Sequence, residues 1–157
     1  MSVVFNADEV FEMAAQIERN GAAFYRKAAG NNPEGREFLS QLAEQEDQHL
    51  ATFEEMRKEL TARQVESTTF DPDNEGVLYL QAMAGGHVFD VSKDPTAMLN
   101  GNESLKDIIQ IAIGLEKDSI IFYLGIEAMI PKKLGKEKMN LIIKEEMRHI
   151  RWLNEKL

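Results

Sequence analysis

Two short patterns in this chain place metal-binding side chain types at helical spacing. Glu46 is followed three residues on by His49, and Glu146 by His149. The chain has only three histidines, and two of them fall in this Glu-x-x-His arrangement. Two of its three tyrosines are placed as regularly: Tyr25 follows Glu18 by seven positions and Tyr123 follows Glu116 by seven. On a helix, residues three apart occupy adjacent parts of one face, and seven residues make nearly two turns. Each Glu-x-x-His can therefore point two ligand atoms at one ion, and each of the other glutamates shares a face with its tyrosine. The neighbours on these faces are apolar or small: Phe11, Ala14 and Gly21 near Glu18; Leu39, Leu42 and Phe53 near Glu46 and His49; Ala112, Ile113 and Ile120 near Glu116; Met139, Ile142 and Leu153 near Glu146 and His149. Burying four carboxylates on such faces is prohibitive unless they are protonated or paired with cations. Two metal ions supply that charge. Four carboxylates and two imidazoles without sulfur suit iron or manganese better than a soft metal.

The patterns also repeat as a unit. Ile17 to Tyr25 aligns with Leu115 to Tyr123 at an offset of 98, and Glu44 to Leu50 aligns with Lys144 to Ile150 at an offset of 100. The arrangement reads as a duplicated helical hairpin that contributes one Glu and one Glu-x-x-His per copy. A buried tyrosine hydroxyl needs a partner, and a metal-bound carboxylate on a facing helix provides one for Tyr25 and Tyr123. Other polar residues fit the pattern less well. Glu44 and Glu145 lie beside the ligands but rotated off the face, which predicts solvated side chains. Asp47 and Asp118 read the same way, with a supporting role open to them. His87 follows Gly85-Gly86 and reads as a loop or half-buried histidine. Trp152 reads as packing near the bundle end.

Four long helical stretches must position these residues. The first has Asn6 as N-cap with Glu9 three residues on, and carries Val10, Phe11, Ala14, Ile17, Phe24, Tyr25 and Ala28 at helical spacing. Gly30-Asn31-Asn32-Pro33 separates it from the second, with Asn32 as cap and Pro33 at the first helical position. The second runs to about Leu60. Residues 61–103 form a crossover with loops around Thr68–Asp73 and Ser92–Pro95, and a short helix over Glu75–Ala84 ended by Gly85-Gly86. The third starts near Ser104, with Asp107 completing a capping box, and runs to Met129 before Pro131. A turn around Lys133–Gly135 leads to the fourth, which ends near Leu157. Two antiparallel pairs, about 7–60 and 104–157, joined by one long crossover make an all-α bundle of ferritin-like topology, a single domain over 1–157.

Composition narrows the function classes. A charge of −9 with no basic cluster argues against nucleic acid or an anionic membrane as partner. The absence of cysteine removes disulfides, thiolate catalysis and iron–sulfur clusters within the chain. No apolar stretch reaches transmembrane length, and Met1–Asp8 lacks the features of a signal peptide. A soluble cytoplasmic protein is expected.

The duplicated Glu-x6-Tyr and Glu-x-x-His motifs resemble those of the rubrerythrin family of ferritin-like di-iron proteins, over the four long helices. The resemblance implies two irons per chain, with manganese an alternative. Glu18 and Glu116 would be terminal ligands, Glu46 and Glu146 bridges, and His49 and His149 would each cap one iron. It implies reduction of hydrogen peroxide, or reaction with dioxygen, with Tyr25 and Tyr123 in supporting catalytic roles. Rubrerythrins usually carry a four-cysteine iron domain, absent here, so electrons would come from an external donor such as a rubredoxin-type protein. Ser119 stands where rubrerythrins tend to have a further Glu, and Gly21 stands at the matching place in the first helix. The six-ligand set also resembles bacterioferritin, which implies iron binding, ferroxidase activity and storage as the alternative function. An oxidase acting on an organic substrate and a metal-free binding module complete the range. Apolar crossover residues Val77, Leu78, Leu80 and Phe89 predict a homodimer.

Overall fold

The computed structural model describes residues 7–62, 73, 75–84, 92–130 and 135–157. It contains α1 (Ala7–Asn31), α2 (Arg36–Ala62), α3 (Glu75–Ala84), a 3₁₀ turn over Pro95–Met98, α4 (Leu105–Met129) and α5 (Lys136–Glu155). No strand occurs among the described residues, and no helix among them is long and apolar enough to cross a membrane.

The four long helices bury two separate apolar clusters. One gathers Val10, Phe11 and Ala14 of α1, Phe53 and Met56 of α2, Phe122 and Ile126 of α4, and Met139 and Ile142 of α5. The other gathers Phe24 and Ala28, Leu39 and Leu42, Ile108 and Ala112, and Leu153 from the same four helices. Residue order along each helix fixes its direction. α1 and α5 run from the first cluster toward the second, whereas α2 and α4 run from the second toward the first. Each hairpin is therefore antiparallel, and α2 is parallel to α4, so the connection between them must traverse the bundle's length. In every helix the candidate ligands, Glu18, Glu46 and His49, Glu116, and Glu146 and His149, fall at the boundary between the clusters. The polar layer lies mid-bundle with hydrocarbon above and below.

Local signals set the ends. Ser104 Oγ accepts from the Asp107 N–H at 3.1 Å and Asp107 Oδ2 accepts from the Ser104 N–H at 3.1 Å, the reciprocal capping box expected for α4. The start of α2 differs from expectation. Asn32 Oδ1 accepts from the Gly35 N–H at 2.9 Å, but Pro33–Gly35 form a turn and the helix begins at Arg36. The turn passes so close to α4 that a Cβ on Gly35 would lie 2.5 Å from Leu105 Cδ1. The crossover helix α3 packs on the outside of α4, where Tyr79 Oη donates to the Ile121 carbonyl at 2.6 Å. Leu80, expected to need cover from outside the chain, is buried, and its Cδ2 sits against Gly125 of α4. Asn6, His87, Phe89, Gly85-Gly86 and the loop around residues 68–72 lie outside the described residues, as does the Val77 side chain.

Candidate metal centre

The bundle brings all six sequence-derived ligand candidates together in two overlapping groups. One consists of Glu18, Glu46, His49 and Glu146, the other of Glu46, Glu116, Glu146 and His149, and the ligand atoms within each group lie within 4.8 Å of one another. All six residues are buried. Glu46 and Glu146 belong to both groups. Glu146 reaches both histidines, with Oε1 2.8 Å from His49 Nδ1 and Oε2 3.1 Å from His149 Nδ1. His49 Nδ1 also lies 3.5 Å from Glu18 Oε2, and His149 Nδ1 lies 3.2 Å from Glu46 Oε1 and 3.3 Å from Glu116 Oε1. The imidazoles stack nearly parallel, with centroids 5.6 Å apart.

These short approaches do not meet at hydrogen-bonding angles. Glu18 Oε2, Glu46 Oε1, both Glu146 oxygens and the Nδ1 atoms of His49 and His149 are buried without a hydrogen-bond partner. Orphaned buried polar atoms are rare, and an unsatisfied charged group costs more than a neutral one. Here their lone pairs converge on shared space, as a donor set for cations would. Two divalent ions would cancel the charge of the four carboxylates with both histidines neutral, so the residues present fit a pair of metal ions.

Four other atoms of the site are held from outside. Tyr25 Oη donates to Glu116 Oε1, and Tyr123 Oη donates to Glu18 Oε1. Each tyrosine therefore fixes a buried carboxylate of the opposite hairpin. His49 Nε2 lies 2.7 Å from Glu145 Oε2, and His149 Nε2 lies 2.8 Å from Gln45 Oε1. Carboxylate and amide oxygens accept here, so each Nε2 donates and each Nδ1 faces inward toward the carboxylates. Glu145 is thus not simply solvated, as its position off the face suggested: its side chain is 42% exposed but its inner oxygen holds His49. Gln45 was not singled out from the sequence. The two positions correspond in the sequence, since Gln45 and Glu145 each precede the Glu of a Glu-x-x-His, but that spacing does not show what either side chain touches. Asp47 pairs with Arg26 on the surface, and Trp152 lies 5.9 Å, centroid to centroid, from His149.

Without metal the cluster must neutralise itself. Burial, then the neighbouring Glu46 and Glu116 carboxylates, pushes Glu146 up to about 8. Burial and like charge also raise Glu18 and raise Glu46 far above the usual carboxylate range. Burial would raise Glu116 as well, but its close approaches to Glu146, His149 and Tyr25 outweigh that and lower it. Burial alone would lower His49, but contacts with Glu146 and Glu18 push it up to about 12, and His149 is raised by the same opposition of effects. Metal binding would displace these protons.

The family model for the ferritin-like domain matches residues 6–157. Among solved structures, the fold is similar to that of a Thermotoga maritima chain described as a ferritin-like diiron-carboxylate protein, with 24% identity and a TM-score of 0.67. That match covers 96% of this chain and 93% of the other. No curated protein matches the chain. With the family match spanning nearly the whole sequence, the chain belongs to the ferritin-like domain family.

Proposed function

We propose that the chain is a rubrerythrin-like di-iron oxidoreductase, which reduces hydrogen peroxide or dioxygen with electrons from an external donor. The observation that carries this reading is the convergence of six unpartnered buried atoms in two groups that share Glu46 and Glu146. Glu18 and His49 would hold one iron, Glu116 and His149 the other, with Glu46 and Glu146 common to both. When bound, the iron pair supplies two electrons per turnover between its diferrous and diferric states. Peroxide reduction to two waters consumes two electrons and two protons, and the electrons return from a rubredoxin-type or similar donor.

The protein's own contribution is positioning, exclusion of water and proton placement. The two apolar clusters dry the site from above and below. Tyr25 and Tyr123 donate their protons in hydrogen bonds to Glu116 Oε1 and Glu18 Oε1, and burial keeps both hydroxyls far from ionisation. A homodimer forms part of the proposal: Leu78, Ile121 and Leu124 are exposed on the outer side of α3 and α4, where a second copy would cover them.

The test is anaerobic loading with ferrous iron to about two ions per chain, followed by rapid mixing with peroxide or dioxygen. The proposal expects faster oxidation by peroxide and turnover only with added reductant. Faster oxidation by dioxygen with accumulation of a ferric mineral would instead establish ferritin-like storage.

A further inference from the structure

The six candidate ligands obey an approximate two-fold relation between the hairpins, but the groups that hold the histidines do not. His49 of α2 is held by Glu145 of α5, whereas His149 of α5 is held by Gln45 of α2. The positions are equivalent and the contacts nearly equal in length, so one carboxylate-for-amide difference is isolated on the far side of two matched imidazoles. Glu145 borders an open cleft of about 610 Å³ between α2 and α5, with Gln45, Arg148 and Trp152 also on its wall. Its side chain is part-exposed, and its Oε2 meets the imidazole at 2.7 Å.

An anionic acceptor draws the Nε2 proton more strongly than a neutral amide and leaves Nδ1 the better electron donor. It also adds one negative charge on the His49 side alone. We propose that Glu145 and Gln45 make the two metal positions unequal, so that the position of Glu18 and His49 fills first and more tightly than that of Glu116 and His149. Both residues act as positioning groups, because they touch the imidazoles and not the ions. The inference rests on the di-metal reading of the cluster. It assigns to Glu145 a role in ordering metal uptake, and to Gln45 the role of keeping the second position weaker.

Cobalt(II) titration of the metal-free protein, followed anaerobically by calorimetry, tests the assignment without turnover. The expected isotherm has two steps, the first about tenfold tighter, and His49→Ala removes that first step. Glu145→Gln should draw the two steps together. The exchange Gln45→Glu with Glu145→Gln should restore two steps in inverted order, so that His49→Ala now removes the weaker one. A merely structural role for Glu145 would not be rescued by exchange. Steps that keep their order and spacing through the exchange overturn the inference and leave the di-metal reading standing. Failure to bind cobalt at two equivalents overturns both.

Discussion

The two hairpins deliver matching ligands on differently built supports. On the outside of α1 and α2, Arg57 pairs with Asp8 at 2.6 Å and with Glu12, Arg19 reaches Glu12 at 3.1 Å and Glu54 at 3.4 Å, and Arg26 pairs with Asp47. Among the described residues no Arg or Lys ion pair joins the outer faces of α4 and α5, whose one charged contact is the buried approach of His149 to Glu116. The outside of α4 is apolar instead, with α3 laid along it and Leu124 still 50% exposed. Exposed ion pairs stabilise by at most about 1 kcal/mol each, so the difference concerns what each face meets more than how firmly each hairpin holds. The candidate ligands match between the two hairpins, whereas these outward charges do not. Burial of charge tolerates few alternatives, whereas a solvated face tolerates many.

The sharpest way to break this equivalence is to remove a shared carboxylate. Glu46→Ala and Glu146→Ala should each weaken both metal positions by more than about a hundredfold, since even a group that only supports a ligand is worth tenfold to a hundredfold. His49→Ala should empty one position and leave the other. Metal content after equilibrium dialysis distinguishes them, and a Glu46→Ala protein that retains one ion at native affinity would show that the groups do not share this residue.

A smaller effect separates the carboxylates by pH. Glu146 moves from 4.5 to about 8 in the folded, metal-free protein. Its contribution to stability is therefore present below the unfolded value and is lost as pH rises through the folded one. Glu18 and Glu46 shift in the same direction, whereas the lowered Glu116 contributes stability that is lost as pH falls. The histidine contributions persist well above neutrality, because His49 is held up to about 12. The metal-free protein should lose on the order of 10 °C in Tm between about pH 5 and pH 8, and saturating metal should remove the slope. Glu46→Gln should flatten the fall and Glu116→Gln should not. Calorimetric melts across this range decide, and a flat profile in the metal-free protein would contradict the proton accounting.

The smallest effect concerns the residues behind the ligands. A Cβ at Gly21 would come 2.8 Å from Glu46 Oε2, so the missing side chain makes room for that carboxylate. At the matching place in α4, Ser119 is buried and its hydroxyl bonds back to the Leu115 carbonyl at 3.0 Å. Gly21→Ala should displace Glu46 and lower metal affinity several-fold, whereas Ser119→Ala should change stability by less than about 1 kcal/mol and leave affinity unchanged. Titrations of the two variants side by side test the contrast.

Much of this arrangement was legible in the sequence because spacing on a helix decides which residues share a face. Glu18, Glu46, His49, Glu116, Glu146 and His149 could be named from intervals of three and seven within apolar surroundings, and Ser104 with Asp107 marked the start of α4. Gln45 and Glu145 were not legible as histidine partners, because each reaches across to the other hairpin from the edge of its own helix face. Periodicity reports which side of a helix faces inward, and it is silent on what a long side chain touches beyond that edge. The true start of α2 was hidden for a related reason. Asn32 and Pro33 are helix-start residues by local preference, but the close passage of Gly35 by Leu105 is a tertiary fact. Leu80 likewise reads as an uncovered apolar residue until α3 is known to lie against Gly125.

The sharing of Glu46 and Glu146 bears on the order in which the chain matures. The first group takes three residues from α1 and α2 and its fourth from α5, and the second takes three from α4 and α5 and its fourth from α2. Tyr25 and Tyr123 cross between hairpins in the same reciprocal way. Neither hairpin alone supplies all four residues of either group, so the complete pocket forms only when they dock. Metal should then act as a latch, slowing escape from the native state far more than it speeds arrival there.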